Sequence, residues 1–200
     1  MNLAHGVLIL AAAAAPGPRD RVYTADQTSN TVSVFDPASG SLLGLLKLGA
    51  PRSDVLSPLY RGQANVHGLG FSPDHKTLAV VSIATNAVTF VDTATNAVKG
   101  TTYVGRAPHE AFYTPDGREI WVSVRGEDHV SVLDARTMRE SGRIGVPDGP
   151  GMVRFRGDGA IGFVVSSFTP EAVAVDVKSH QVVARIRHRA PWPRRWSRCG

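Results

Sequence analysis

The sequence predicts an all-β protein of β-propeller type, about four four-stranded blades with a 42-residue period, and three observations predict it. Segments that end in aspartate after an alternating apolar run recur as TVSVFD (Asp36), AVTFVD (Asp92), HVSVLD (Asp134) and AVAVDV (Asp176). The last two intervals are 42 residues each, and the first is 56, one period plus 14. A turn marker, FSPDHK, YTPDGR and FRGDGA, sets Asp74, Asp116 and Asp158 at the same spacing. Tyr23, Ala79, Trp121 and Phe163 hold a third position in register. A four-strand unit at this period reads as a blade. One such sheet cannot bury both faces alone, so radial stacking hides Val, Ile, Leu and Phe between neighbours.

The elements follow in chain order. Residues 1–20 are expected to form a secretory signal or an N-terminal segment, because Leu3 to Ala15 is a short apolar run ending in alanines. No Lys or Arg precedes that run, and Pro16 follows it, which departs from the usual signal pattern. Residues 21–187 are expected to hold the blades, as units 21–48, 66–104, 109–146 and 151–187. Period-2 alternation divides the third unit into strand A (His109 to Thr114), strand B (Glu119 to Val124), strand C (Val130 to Asp134) and strand D (about Glu140 to Val146). The first unit supplies strands B, C and D without an A strand. Asp-x-x-Ser/Thr after each strand C suits an Asx turn, the carboxylate accepting backbone N–H groups, so these aspartates are expected to be structural. Trp121 and Phe163, mid-strand B, are expected between blades.

Residues 188–200 are expected to be a basic tail outside the propeller. The stretch from Ala190 to Arg198 has no alternation and two prolines that cannot donate to a ladder. The expectation is a partial or open propeller, a truncated or frameshifted piece of a longer one, with edges open to self-association.

Charge and cysteine content remove several classes. The pI of 9.8 suggests nucleic acid, but six of the 22 basic residues lie in the last 16 positions, leaving 16 basic against 17 acidic. Nucleic-acid binding wants its basic residues on the folded surface, so none is expected. The single cysteine, Cys199, supports neither a disulfide framework nor a CxxC site. No run of 18 apolar residues exists, so no membrane span is expected.

Tyr23-Thr24-Ala25-Asp26 followed by Asn30-Thr31-Val32-Ser33-Val34-Phe35-Asp36 resembles the YVTN β-propeller repeat. Ser72-Pro73-Asp74, Thr114-Pro115-Asp116-Gly117 and Arg106-Ala107-Pro108-His109 share the resemblance. It covers about residues 21 to 187. It implies a bacterial extracytoplasmic propeller, similar to YncE-like and surface-layer proteins, periplasmic or secreted, that serves in binding or interaction. Fold analogy alone assigns no chemistry.

The loops sort by face. Connections from A to B and from C to D carry the recurring short turns and read as scaffold. Connections from D to A and from B to C vary, and varied loops are where binding concentrates. The extra residues, about Pro51 to Ala64, fall in the first D-to-A connection and offer Arg52, Asp54, Tyr60 and Arg61 as contacts. His67 and His109 share one repeat position at the start of strand A, bordering the central channel. Arg125, Glu127 and Asp128 fill a B-to-C turn on the same face. The candidate ligand-binding residues are therefore His67, His109, Glu110, Arg125, Tyr60 and Arg61, with His67 and His109 the candidates for a metal. Two histidines fall short of a three- or four-ligand set, and Gly151 takes the histidine position in the next repeat, so neither metal nor cofactor is expected. Each imidazole is expected to hydrogen-bond the neighbouring blade's backbone. Glu110 and Asp128 read as solvated surface acids rather than a catalytic pair. The resulting expectation is a scaffold for a protein or small ligand, without a catalytic site. One alternative is a propeller enzyme, lactonase-like or redox-associated, working with a metal at the channel mouth. Another is a nonfunctional fragment.

Overall fold

The computed structural model describes residues 15–48 and 65–187. Every regular element among them is a strand. The first sheet has three strands, β1 (Val22–Asp26), β2 (Thr31–Phe35) and β3 (Leu42–Lys47). The second has four, β4 (Val66–Phe71), β5 (Thr77–Ser82), β6 (Ala87–Asp92) and β7 (Val98–Tyr103). The third comprises β8 (Pro108–Tyr113), β9 (Glu119–Val124), β10 (His129–Asp134) and β11 (Arg139–Gly145). The fourth comprises β12 (Pro150–Phe155), β13 (Ile161–Ser166), β14 (Glu171–Asp176) and β15 (Val182–Arg187). Each strand pairs antiparallel with its sequence neighbour within its sheet. The chain is thus an all-β arc of propeller blades. Strands in the third blade start a residue earlier than alternation alone suggests, at Pro108, His129 and Arg139.

The blades meet through their faces. Val32 of the first packs with Val66, Leu78, Val80 and Val91 of the second. Ala79, Val81, Val88 and Phe90 pack on Ala111, Ile120, Val122 and Leu133 of the third. Trp121, Val130 and Val132 pack on Val153, Val164, Val173 and Val175 of the fourth. Both faces of the inner sheets are buried, so their B and C strands are nearly continuous apolar runs. Trp121, fully buried, requires Gly162 opposite: a Cβ there would stand 2.6 Å from the indole. β4 lies against β8, and β8 against β12, so the A strands line the inside of the arc.

Phe163 departs from its expected place between blades. It shares Trp121's register but is 38% exposed, because it faces away from the third blade on the open side of the fourth.

Turn geometry repeats with the blades. Left-handed backbone recurs before strand A at Asn65, Ala107 and Gly149, and in the A-to-B turn at His75, Gly117 and Gly159. It recurs after strand C at Gly40, Asn96, Met138 and His180. The last three of these reach back to the preceding blade. Tyr23 donates its hydroxyl to Asn96 Oδ1, Thr102 donates to the Met138 carbonyl, and His180 Nε2 lies 3.0 Å from Glu119 Oε2. The aspartates after strand C are turn residues as expected. Asp92 accepts the Ala94 and Thr95 N–H groups, Asp134 those of Arg136 and Thr137, and Asp176 that of Ser179.

Candidate functional site

Strand A starts irregularly in every complete blade. The ladder register slips between Val66 and Leu69, between Pro108 and Glu110, and between Pro150 and Met152. An extra residue in one strand bulges outward and is re-aimed. His109 and Gly151 are the residues these slips leave without a partner across the ladder, and His67 lies within the first slip. The two imidazoles therefore stand on the inside of the arc, one blade apart, with ring centroids 4.2 Å apart and planes tilted by 38°.

Each ring is fixed by the next blade. His67 Nδ1 lies 3.2 Å from the His109 carbonyl oxygen, and His109 Nδ1 lies 2.8 Å from that of Gly151. A carbonyl only accepts, so Nδ1 carries a proton in both rings. The backbone approach is close: a Cβ on Gly68 would stand 2.6 Å from the His109 oxygen, so only glycine fits there. Ser123, fully buried, ties the same region together by donating to the Gly151 carbonyl at 3.2 Å and accepting the Glu110 N–H at 3.2 Å.

Glu110 is half-buried beside His67, with 3.6 Å between its Oε1 and His67 Nδ1. Its expected place as a solvated surface acid is corrected: it pairs in register with Ser123 at the buried end of the strand, and burial raises its pKa against the opposing charges of His67 and Arg154. Asp128 is exposed on its turn and shares no site with Glu110. Burial pushes His109 down to about 4; its bond to Gly151 opposes this, while the charges of His67 and Arg125 add to it. It is a neutral imidazole at pH 7.

Arg125 stands at the same end of the blade as His109. Its guanidinium lies 5.4 Å over the Phe168 ring, and its Nε is buried without a hydrogen-bond partner. Glu127 is engaged elsewhere, accepting the Arg106 N–H at 2.7 Å and lying 3.4 Å from His129 Nδ1. His67, His109 and Glu110 bring their ligating atoms within 4.8 Å of one another. The structure thus groups three of the expected residues and sets Arg125 electrostatically beside them. Tyr60 and Arg61, with the rest of the 51–64 segment, lie outside the described residues. Sequence reasoning missed Ser123, Phe168 and Arg154, whose guanidinium lies 4.5 Å over Phe112. Nothing in the repeat marks them, because each belongs to a single blade.

No protein-family profile and no curated protein matches this sequence. Solved structures do match, 1212 chains of them, which marks a widely used fold. Among them is the hydrazine synthase of Kuenenia stuttgartiensis, a propeller-containing protein, with a TM-score of 0.73 at 19% identity over 92% of this chain and 53% of that chain. The chain spans about half the length of that structure. At this identity the likeness shows the fold alone.

Proposed function

We propose that the chain is a binding scaffold of YVTN repeat type, exported to the periplasm or beyond, that takes a small polar ligand at the inner end of its A strands. One observation carries this reading: ligating atoms of His67, His109 and Glu110, and the unpartnered buried Nε of Arg125, gather at one mouth of the arc. Concave sites with a few convergent polar groups are where ligands bind. A neutral imidazole lone pair accepts a hydrogen bond, and a guanidinium held over an aromatic ring offers its fork to an anion. Export rests on the apolar run ahead of the blades and on the repeat motifs. The same reading includes self-association through the apolar faces of the first and fourth blades, where Leu45 and Phe163 are exposed.

The test is a titration of metal-free protein with acetate, citrate and inorganic phosphate, followed through the imidazole and guanidinium NMR signals. Saturable shifts at His67, His109 and Arg125 are expected. Shifts confined to other residues, or none that saturate, would remove the reading.

A further inference from the structure

We propose that His67, His109 and Glu110 form a binding site for a divalent transition-metal ion, zinc foremost, with both histidines ligating through Nε2. The inference rests on the channel-mouth reading and names the first occupant of that site. Three features of the geometry carry it.

The donor set is complete enough. Two imidazoles and one carboxylate are a known ligand combination for zinc that leaves a fourth position open. Each of the three side chains offers a ligating atom within 4.8 Å of those of the other two, which places the donors around one small space.

The rings are also held as ligating rings are held. Both donate Nδ1–H to a backbone carbonyl, His67 to His109 and His109 to Gly151. Such an outer bond fixes the tautomer and raises the basicity of the opposite nitrogen. Nε2 of each ring makes no hydrogen bond within the described residues. If these histidines served only to bridge blades, Nδ1 alone would suffice, and no carboxylate would need to be drawn in beside them.

The third feature is how the site is made. Glu110 adjoins His109 in a strand, where neighbouring side chains normally point to opposite faces. The register slip between Pro108 and Glu110 breaks that alternation. Bulges are over-represented beside functional sites for this reason. Arg125 and Arg154 stand near as fixed positive charges. They disfavour a bare cation, and they suit an ion whose open position holds an anionic ligand.

The experiment is equilibrium dialysis of the tag-free, chelator-stripped chain against zinc, with cobalt substitution as a spectroscopic probe. Stoichiometric zinc and a four- or five-coordinate cobalt spectrum are expected. Glu110→Gln and His109→Gln keep side-chain size, and each should weaken zinc binding by at least about 10- to 100-fold, the loss typical even for residues that only orient a ligand. His75→Gln, outside the site, should change nothing. Circular dichroism on each variant separates loss of a ligand from loss of fold, and His67→Gln repeats the test from the second blade if His109→Gln does not fold. Failure to saturate with zinc, or zinc binding that survives Glu110→Gln and both histidine variants, overturns the proposal. The anion titration of metal-free protein is independent of this result: anions bound without zinc would leave the channel-mouth reading standing and this inference refuted.

Discussion

His109 ties the site to stability. Its imidazole is held at about 4 in the folded chain, mainly by burial, against about 6.5 when unfolded. The unfolded chain therefore takes up the proton first as pH falls. Stability is full above pH ~6.5 and declines toward pH ~4, below which this loss stops growing. Urea midpoints measured in pH steps should show that decline, and His109→Gln should flatten it. The turn aspartates act in a lower window. Backbone N–H and side-chain hydrogen bonds hold Asp92 and Asp134 below the ordinary carboxylate range. A depressed carboxylate stabilises above its unfolded value of about 3.9 and loses that contribution as pH falls through its folded one. Asp92→Asn with Asp134→Asn should blunt the loss below pH 4 and leave the upper slope unchanged. The repeat made the residues legible and not their grouping. It aligned His67 with His109 and with Gly151, but strict alternation would send Glu110 to the other face. Only the ladder slip at His109, which leaves no trace in composition or period, brings the two residues together beside His67.

At the scale of strands and sheets, burial is continuous along the inner B and C strands and falls into period 2 only where a blade lacks a neighbour among the described residues. Val164 and Val165 are adjacent in β13, yet Val164 is 1% exposed against Trp121's side and Val165 is 44% exposed on the far side. Val164→Asp should therefore cost several kcal/mol, since it buries an unpaired charge, whereas Val165→Asp should stay within about 0.5 kcal/mol. Trp121→Ala should cost roughly 3–5 kcal/mol, because the cavity lies between two sheets that cannot collapse without losing their own ladders. Chemical denaturation of the three variants checks the order. Strand positions were legible to within a residue or so, because aspartate turns and alternation mark both ends of each strand. The exposure of Phe163 was not, because its register equals that of Trp121 and the difference lies in the presence of the next sheet. The back-reaching turns at Asn96, Met138 and His180 were also hidden. Three unlike residues share one left-handed position and one task, so side-chain identity carries no signal.

For the whole molecule, the question is what the two outer faces do. Inside the arc, the face bearing Ala79 and Phe90, or Trp121 and Val132, is always covered by the following blade. The fourth blade presents the same face with Met152, Phe163 and Val165 exposed, and the first presents the opposite face with Val22 and Leu45 exposed. The two faces are different surfaces, so a contact between copies that imitates the internal stacking is heterologous, joining the fourth blade of one to the first blade of another. Phe163→Asp and Leu45→Asp should each lower the weight-average mass in sedimentation equilibrium, with little change in unfolding midpoint because both positions are exposed. Mixing discriminates the geometry. A Phe163→Asp copy keeps its first-blade face and a Leu45→Asp copy keeps its fourth-blade face, so the two together can form one intact junction, and no more. A one-to-one mixture should recover dimer and nothing larger. If the mixture stays as monomeric as either variant alone, the contact is not the stacking seen within the arc; if neither variant lowers the mass, these faces do not drive association.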